Sequence, residues 1–472
     1  MLAMSKAIVK TRFAPSPTGQ LHLGNLRTAL FSALHAWSVG GNFLLRIEDT
    51  DAERSQAAYT QALQADLHWL GLHWQEGPEV GGPAGPYLQS ERAAVYAGYY
   101  RQLRAGGQAY PCFCTQEQLA ATRAAQRASG RPPRYPGTCA HVSADEAAAR
   151  VSAGEPHTLR FRVPAGELIE FDDLVRGPQA FRSDDIGDFV IRRTDGTPAF
   201  FFCNAVDDAL MGVTHVWRGE DHISNTPRQL LILRALGLRE PRYGHMALIV
   251  GDDGAPLSKR HGAMSLDGLR ELGYLPLAIT NYLARLGHSY AEDGLLDMQA
   301  LAAGFDPARL GKAAARFDRT QLDHWQRLAL AATADADLAH WAGAACAAVP
   351  EARRGEFLAA VRDNVLLPED VRFWAQALFA EPAFEPAAQS ELAAAPVALF
   401  EAALQCLPAH DGDFRGWTKA VGAAAGVKGR ALFMPLRAAL TGHTHGPEMA
   451  RVFPLLGQQR VAQRLRAALA RI

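Results

Sequence analysis

The amino-acid sequence predicts an α/β fold, in which a parallel-sheet domain carries an α+β insertion and is followed by an all-helical C-terminal half. Near the N-terminus, short runs rich in β-branched and aromatic residues alternate with helical patterns, which is typical of βαβ units and a parallel sheet. From residue 109 to about 200, cysteines and Pro/Gly-rich turns interrupt that alternation. Beyond about residue 266, alanine-rich segments with a 3.6-residue period predict helices.

The predicted sheet begins with a strand in "AIVKTRFAPS" and a second in "NFLLRIEDT", separated by a helix that begins near Asn25. Further helices are expected over 59–70 and 91–103. Within the insertion, "TLRFRV" and "DFVIRR" predict short strands. "HVWRGEDHI" and "GHMALIVG" then return to the sheet, with the helix "NTPRQLLILRALG" between them. In the helical half, the proline-rich stretch 380–390 predicts a hinge or loop.

Composition favours a soluble globular protein with an ample core. The chain has 472 residues, of which 48% are hydrophobic and 21% charged. No uninterrupted apolar run reaches the ~18 residues that a membrane helix needs, and the N-terminus lacks the apolar run of a signal peptide. Six cysteines in a chain of this length do not form a disulfide framework, so we expect a reducing, cytoplasmic setting.

The basic residues are unevenly distributed. The net charge of −1 by itself points to no nucleic-acid partner. Residues 420–472, however, hold eight lysines and arginines against one acid, a local excess of 8 − 1 = +7. Such a segment is either a surface for a phosphate backbone or a solvated helical face, and charge alone does not separate the two.

A first chemistry-bearing junction follows the first predicted strand, where "PSP" (15–17) leads to a helix that starts just beyond Gly24. Helix N-termini attract phosphate through unpaired N–H groups and the helix dipole. Thr18 and His22 stand four residues apart ahead of this helix, and Gly24 leaves room for a flat group. The chain has neither a Walker pattern nor Gly-x-Gly-x-x-Gly here. A nucleotide site and an ordinary turn both remain open.

The second junction is "GDDGAPLSKRHG", residues 251–262. This Gly/Asp/Pro-rich loop presents Ser258, Lys259, Arg260 and His261 together. A mobile loop with a compact lysine charge can meet phosphate oxygens. The alternative is a solvated basic turn.

The two junctions together resemble class I aminoacyl-tRNA synthetases, whose His-x-Gly-His and Lys-Met-Ser-Lys-Ser signatures correspond to "HLGN" and "PLSKR". The stretches "RFAPSPTGQLHLGNLRTALF", "LLRIEDTD", "VWRGEDHISNTPRQ" and "LSKRHG" are similar to the bacterial glutamyl-tRNA synthetase family, as is "GRALFMPLRAALTGHTHGPEM" near the C-terminus. The resemblance therefore covers nearly the whole chain.

The resemblance implies a domain order and a reaction. It implies a Rossmann-like catalytic domain over 1–108 and 201–254, an acceptor-end insertion over 109–200, a stem-contact region with the LSKR loop over 255–330, and a helical anticodon-binding domain over 331–472. Glutamate would attack the α-phosphate of ATP to give glutamyl-adenylate and pyrophosphate, and the 3′ end of tRNA-Glu would then accept the glutamyl group. Such chemistry depends on alignment and charge stabilisation.

The resemblance also implies which residues hold ATP. Thr18, His22 and Lys259 would act on the triphosphate as the catalytic residues, and Mg²⁺ would travel with ATP. Further ATP contacts would come from Gly24, Asn25, Asp221, Ser258 and Arg260. Pro256 stands where the family motif has its first lysine, so one cation on the triphosphate is missing.

For glutamate, the resemblance assigns Arg12 and Arg218 to the two carboxylates and Glu48 to the amino group, because an arginine fork suits a carboxylate and disfavours a neutral amide. Ser16 and Asn204 would add hydrogen bonds. Phe200 stands where the family commonly has a tyrosine, so one hydroxyl contact is missing or supplied by water. The alternative for Glu48 and Arg46 is an exposed salt bridge.

Within the insertion, Cys112, Cys114, Cys139 and His141 are candidate ligands of a structural Zn²⁺, because three thiolates and an imidazole suit a tetrahedral site. Tyr135 is a rival for the fourth position, since a Tyr-x3-Cys arrangement occurs in a related family. The alternative is three unligated thiols.

For the basic C-terminal segment, the family offers an anticodon-binding role, with Lys428, Arg430 and Arg437 as tRNA-backbone contacts. We expect a monomer without a membrane partner. The sequence leaves open whether tRNA-Gln is charged as well as tRNA-Glu. Three other identities are less favoured. Glutaminyl-tRNA synthetase usually ends in β-barrels, whereas this tail is helical by composition, and the truncated glutamylating relative stops before the anticodon domain. A zinc-containing RNA-binding protein without catalysis would not need His22, Lys259 and the pocket arginines.

Overall fold

The structure, a computed structural model, describes residues 8–50, 57–130, 132–255, 257 and 265–471. These residues form two compact units. The first comprises the chain up to Gly268 together with Thr280–Asp318, and the second comprises Leu269–Ile279 with Arg319–Ile472.

The first unit holds all the strands of the described residues. They are β1 (Lys10–Phe13), β2 (Asn42–Leu45), β3 (Ala109–Cys112), β4 (Thr158–Phe161), β5 (Leu168–Asp173), β6 (Gly177–Arg182), β7 (Phe189–Arg192), β8 (His215–Gly219), β9 (Arg242–Met246), β10 (Ile249–Val250) and β11 (Ala315–Arg316). Its helices are α1 (Leu23–Ser38), α2 (Ala57–Trp69), α3 (Ala93–Ala105), α4 (Gln116–Ala128), α5 (Ala144–Ser152), α6 (Ser183–Ile186), α7 (Phe200–Leu210), α8 (Thr226–Leu236) and α11 (Met298–Ala303). Both α9 (Leu266–Leu272) and α10 (Pro276–Arg285) contain residues of the two units.

The central sheet of the first unit is parallel, with strand order β2-β1-β8-β9. β1 pairs with β2 from Lys10 opposite Asn42 to Phe13 opposite Leu45. Helix α1 packs on β1, β2 and β8 through an apolar face, so the middle of each strand is buried. Because all four strands run the same way, their carboxyl ends share one edge, which is where open α/β sheets bind ligands. The predicted α/β fold is confirmed.

The predicted insertion contains two antiparallel pieces. One is a three-stranded sheet of order β3-β4-β7, and the other is the hairpin β5–β6. The hairpin packs against β9 of the central sheet, and the Leu174 N–H donates to the Tyr243 carbonyl over 2.8 Å. The end of β5 therefore lies beside the central sheet.

The second unit is helical throughout its described residues. Its remaining helices are α12 (Arg319–Ala332), α13 (Asp335–Ala342), α14 (Arg354–Val361), α15 (Pro368–Phe379), α16 (Pro386–Ala393), α17 (Val397–Cys406), α18 (Phe414–Ala425), α19 (Arg430–Thr441) and α20 (Met449–Leu469). They enclose one apolar core, in which Phe400, Trp417 and Leu436 are fully buried.

The predicted loop over 380–390 is only partly correct. Residues 386–390 belong to α16, whose first position is Pro386. A proline suits that position because its fixed φ is helical and the N–H that it lacks would have had no partner there. Among the described residues no single helix has the length and apolar character to cross a membrane, while the bent pair Pro386–Ala393 and Val397–Ala409 meets the criterion by length and composition alone.

Candidate active site

A cavity of about 500 Å³ lies at the carboxyl edge of the central sheet, beside the start of α1. β1 and β8, the loops that follow β1 and β2, and α7 all contribute side chains to its wall. Eleven of the predicted ATP and glutamate residues line it: Arg12, Ser16, Thr18, His22, Gly24, Asn25, Glu48, Phe200, Asn204, Arg218 and Asp221. The predicted loop residues Ser258, Lys259 and Arg260, with Pro256, lie outside the described residues.

The start of α1 is organised by His22, which is its N-cap residue. The Nδ1 atom of His22 accepts a hydrogen bond from the Asn25 N–H over 3.4 Å. Burial lowers the pKa of His22, so the ring is neutral at neutral pH. A Cβ on Gly24 would lie 3.1 Å from this imidazole ring. The His22 ring therefore occupies the space beside Gly24. This places the imidazole at the helix N-terminus, where phosphate binds favourably.

A buried ion network lies beneath the cavity, centred on Arg46, whose side chain is 0% exposed. Its Nη1 donates to Asp208 Oδ1 over 2.7 Å, and its Nη2 donates to Asn204 Oδ1 over 3.0 Å and lies 3.3 Å from Glu48 Oε1. Asn204 Nδ2 donates to the same Glu48 oxygen over 2.8 Å. The pair Arg46–Glu48 is therefore not an exposed salt bridge but part of the floor of the pocket.

The carboxylates of this network differ in their pKa values. Burial raises the pKa of Glu48, although Arg46 and Arg12 oppose the shift. For Asp208 burial also favours the neutral acid, but Arg12 and Arg46 outweigh burial and lower the pKa. Arg12 donates from Nε to Asp208 over 3.2 Å and from Nη1 to the Trp217 carbonyl over 3.4 Å. Asp208 thus pairs with both arginines, and Glu48 is the carboxylate that a substrate cation would stabilise.

Arg218 lines the cavity and has one unpaired guanidinium nitrogen among the described residues. Its Nε donates to His245 Nε2 over 3.0 Å and its Nη2 to Thr226 Oγ1 over 2.7 Å. Its Nη1 is buried and has no hydrogen-bond partner among the described residues. Burial lowers the pKa of Arg218 to about 10, which still leaves a cation at neutral pH. A buried cationic donor without a partner is costly, and a substrate carboxylate would satisfy it.

The thiol cluster of the insertion lies apart from this cavity, with the Sγ atoms of Cys112, Cys114 and Cys139 within 4.8 Å of one another. The Tyr135 hydroxyl lies 3.4 Å from the Cys112 Sγ and 3.8 Å from the Cys114 Sγ, and it accepts the Cys139 N–H over 2.8 Å. His141 is exposed and does not belong to the group. Of the two predicted fourth ligands, the structure brings Tyr135 to the thiols.

The surroundings of Cys112 favour its thiolate, whereas burial raises the pKa of Cys114 to about 11. Burial alone would raise the pKa of Cys112, but hydrogen bonds from Tyr135 and Arg160 outweigh it and lower the pKa to about 7. Arg160 also stacks over the Tyr135 ring, with its guanidinium carbon 3.8 Å from the ring centroid. Because metal ions bind cysteine as the thiolate, these donors suit a soft divalent cation such as Zn²⁺.

Comparison with known proteins agrees with this geometry. Residues 8–324 match the catalytic-domain model of class I tRNA synthetases (E and Q), and residues 348–469 match an anticodon binding domain. The chain belongs to the class I glutamyl/glutaminyl-tRNA synthetase family.

Named relatives of the chain lie in the glutamate branch of this family. The glutamate–tRNA ligase 2 of Alkalilimnicola ehrlichii is 61% identical over 96% of both chains, and the glutamate–tRNA ligase 1 of Halorhodospira halophila is 55% identical over 98% of both. A crystal structure of the glutamate tRNA ligase of Elizabethkingia meningosepticum in complex with its amino acid is 28% identical. It superposes with a TM-score of 0.90 and covers 98% of this chain and 99% of its own. The recognition made from the sequence motifs is confirmed.

The synthetase's helical unit contains the three residues predicted to contact tRNA. Lys428 and Arg430 are exposed, and Arg430 pairs with Glu391. Arg437 is half-buried, donates from Nη1 to the Pro447 carbonyl over 3.0 Å, and lines a cavity of about 630 Å³. Arg464 is 4% exposed and donates to the Leu378 and Ala380 carbonyls, so one of the eight basic residues serves the core and not the surface.

Several residues that line the pocket of the synthetase, or that contact its lining residues, were not predicted. His222 lines the cavity and packs against Phe200, with ring centroids 5.8 Å apart. Asp208 lies in the stretch "FFFCNAVDDAL". Two acidic residues in an otherwise apolar helix indicate buried ion pairing, so this stretch did carry a signal. His245 and Thr226, which hold Arg218, gave no local signal, because His245 lies in a stretch that predicts only a strand and Thr226 lies at the start of one that predicts only a helix.

Proposed function

We propose that this protein is a glutamate–tRNA ligase whose cavity at the sheet edge activates L-glutamate with ATP and transfers it to the 3′ end of tRNA-Glu, with release of pyrophosphate and AMP. The observation that carries the assignment is Arg218, which lines the cavity and whose Nη1 is buried with no partner among the described residues. The names of relatives that match over nearly the full length support the same reaction.

The glutamate side chain has a carboxylate that needs a cation, and Arg218 supplies it. Arg12 contributes positive charge to the second carboxylate, while the buried Glu48 takes the amino group. Ser16 and Asn204 add polar contacts on the cavity wall. A glutamine amide at Arg218 would leave the buried cation unpaired, which disfavours glutamine by the mechanism that discriminates isosteric substrates. Phe200 packs against His222 and adds no hydroxyl to this pocket.

The ATP phosphates would lie at the start of α1, where Thr18, His22, Gly24 and Asn25 meet the unpaired N–H groups of the helix. Asp221, which lines the cavity on the turn after β8, would contact the ribose hydroxyls. Lys259, with Ser258 and Arg260, would add the positive charge of the second junction. Mg²⁺ would neutralise phosphate oxygens. It would thereby offset part of the negative charge that a lysine, in place of Pro256, would otherwise neutralise.

The insertion would bind Zn²⁺ through Cys112, Cys114, Cys139 and Tyr135. Such a site would be structural, because all four positions belong to the protein. The helical unit would bind the anticodon arm through Lys428, Arg430 and Arg437, and the cavity beside Arg437 exposes the Phe433 ring for a nucleobase to stack on. The protein would act as a cytoplasmic monomer.

The test is aminoacylation of tRNA-Glu by the wild type and by Arg218→Ala, with glutamate or glutamine. We expect Arg218→Ala to raise the KM for glutamate by about a hundredfold, since it removes a charged hydrogen bond at a buried site, and to leave the KM for ATP within about twofold. Arg234→Ala is the matched control, because Arg234 forms an exposed pair with Glu240. An unchanged KM for glutamate in Arg218→Ala would exclude this pocket assignment.

A further inference from the structure

Behind Arg218 lies a buried chain of polar groups that reaches into the hairpin β5–β6. His245, on β9, is 0% exposed and contacts Arg218 through Nε2. Its other ring nitrogen, Nδ1, forms a short hydrogen bond with Oδ2 of Asp173, the last residue of β5. Asp173 is 5% exposed. The carboxylate therefore comes from the predicted acceptor-end insertion, and the arginine from the central sheet.

The contacts of His245 determine where its proton lies. Arg218 Nε is always a donor, so His245 Nε2 must carry a lone pair to accept from it over 3.0 Å. The Nδ1 atom then carries the proton and donates it to Asp173. Thr226 Oγ1 accepts from Arg218 Nη2 and lies 3.1 Å from the same Nε2. The neutral histidine with its proton on Nδ1 satisfies the contacts with both Arg218 and Asp173.

This arrangement occupies two of the three nitrogens of the Arg218 guanidinium and leaves the third, Nη1, without a partner among the described residues. The Tyr243 ring supports the guanidinium from the side, with the Arg218 carbon 5.1 Å from the ring centroid. Because the guanidinium is planar, fixing Nε and Nη2 also fixes the direction of the Nη1–H bonds. The orientation of the substrate-facing donor thus depends on His245.

We propose that Asp173 and His245 are positioning residues for Arg218, and that the Asp173 carboxylate, by holding the proton on His245 Nδ1, sets the affinity for glutamate. The inference rests on the proposed function, because it takes Arg218 as the group that meets the glutamate side chain. Under this proposal the glutamate pocket depends on the docking of the β5–β6 hairpin, because the hairpin residue Asp173 acts on Arg218 through His245.

Asp173→Asn is a selective perturbation of this chain. Asp173 Oδ1 accepts the N–H groups of Val175 and Arg176 over 2.9 and 2.8 Å, and an asparagine carbonyl can keep both. The NH₂ group would then face His245 Nδ1 and donate to it. The ring proton would move to Nε2, where it would point at the donor Arg218 Nε–H. A wrong tautomer with intact geometry is a known way for an Asp→Asn change to disable a histidine.

The experiment measures kcat and KM in aminoacylation for Asp173→Asn, with glutamate and ATP varied separately. We expect the KM for glutamate to rise by about tenfold or more, because two buried donors are opposed, while the KM for ATP stays within about twofold. Asp172→Asn is the matched control, since Asp172 is the exposed neighbour on the same strand. Equal effects on both substrates, or a loss confined to kcat, would mark a purely structural role and overturn the proposal.

Two further variants keep the outcomes distinct. If Arg218→Ala loses glutamate affinity while Asp173→Asn does not change, the positioning role is wrong and the proposed function stands. If neither variant changes the KM for glutamate, the pocket assignment itself fails. Should Asp173→Asn not fold, His245→Gln decides, because it removes the ring that links Asp173 to Arg218 while an amide oxygen remains available to Arg218 Nε. An unchanged KM for glutamate in His245→Gln would then overturn the proposal, and a selective rise would support it.

Discussion

The buried ion network beneath the cavity gives a strong stability prediction for Asp208→Asn. Asp208 accepts from Arg46 Nη1 over 2.7 Å and from Arg12 Nε over 3.2 Å, and its side chain is 2% exposed. The substitution is nearly isosteric but leaves two buried cations facing a neutral amide. At an effective dielectric constant of about 20, each contact at about 4 Å between charge centres is worth about 4 kcal/mol before desolvation is counted. Removing one partner of a buried pair typically costs about 3–5 kcal/mol.

We therefore expect Asp208→Asn to lower the free energy of unfolding of the catalytic unit by about 3–5 kcal/mol at neutral pH. The assay is urea unfolding followed by tryptophan fluorescence, in which the transition of this unit is the one that ATP and glutamate shift to higher urea. The exposed Asp172→Asn serves as the control. A loss below about 1 kcal/mol would refute the view that Asp208 neutralises both arginines.

The same variant has a pH signature. The arginines lower the pKa of Asp208 below its ordinary value of 3.8, so the folded state binds this proton less readily than the unfolded chain. The stabilisation by the carboxylate is then complete above the unfolded pKa and declines as the pH falls through the folded one. The difference in unfolding free energy between the wild type and Asp208→Asn should therefore shrink in acid. A difference that stays constant down to the acid limit would contradict the ion-pair explanation.

Two further predictions concern the insertion and the helical unit. Tyr135→Phe should speed the loss of zinc to a chelator, and His141→Gln should lose zinc at the wild-type rate. The measurement is the zinc content after dialysis against the chelator. The opposite pattern would indicate His141 as the fourth ligand. Glu385→Gln should destabilise the helical unit by about 1 kcal/mol at neutral pH in urea unfolding, because the Glu385 carboxylate accepts from the Thr444 N–H and hydroxyl, each over 2.7 Å. These bonds lower the pKa of Glu385 from 4.5 to about 2, so the difference should fade as the pH falls through that range, and a pH-independent difference would exclude the carboxylate as its cause.

The sequence predicted the parts of the fold that depend on local pattern. Alternating strands and helices led to the parallel sheet, and its carboxyl edge brings together Arg12, His22 and Glu48 as the resemblance implied. The helix near Asn25 begins at Leu23, within two residues of the prediction.

What escaped prediction depends on contacts between distant segments. Asp173 and His245 are 72 residues apart and meet only because the hairpin docks on β9, which no local period encodes. Arg46 resembled an exposed residue paired with Glu48, yet Asp208 on α7 makes its burial possible. Cysteine spacing was compatible with His141 or Tyr135 as the fourth ligand, and only the path of the loop brings the Tyr135 hydroxyl to the thiols.

The most direct test of the central claim is ATP–pyrophosphate exchange with glutamate, with and without tRNA-Glu, and with glutamine as the control amino acid. A pocket built around a buried cationic donor predicts exchange with glutamate and not with glutamine, and the family reaction predicts that it appears when tRNA is added. Exchange without tRNA would support the activation of glutamate and would show that this step does not depend on tRNA. Equal exchange with glutamine, or none with glutamate under any condition, would contradict the assignment of Arg218 and the activity built on it.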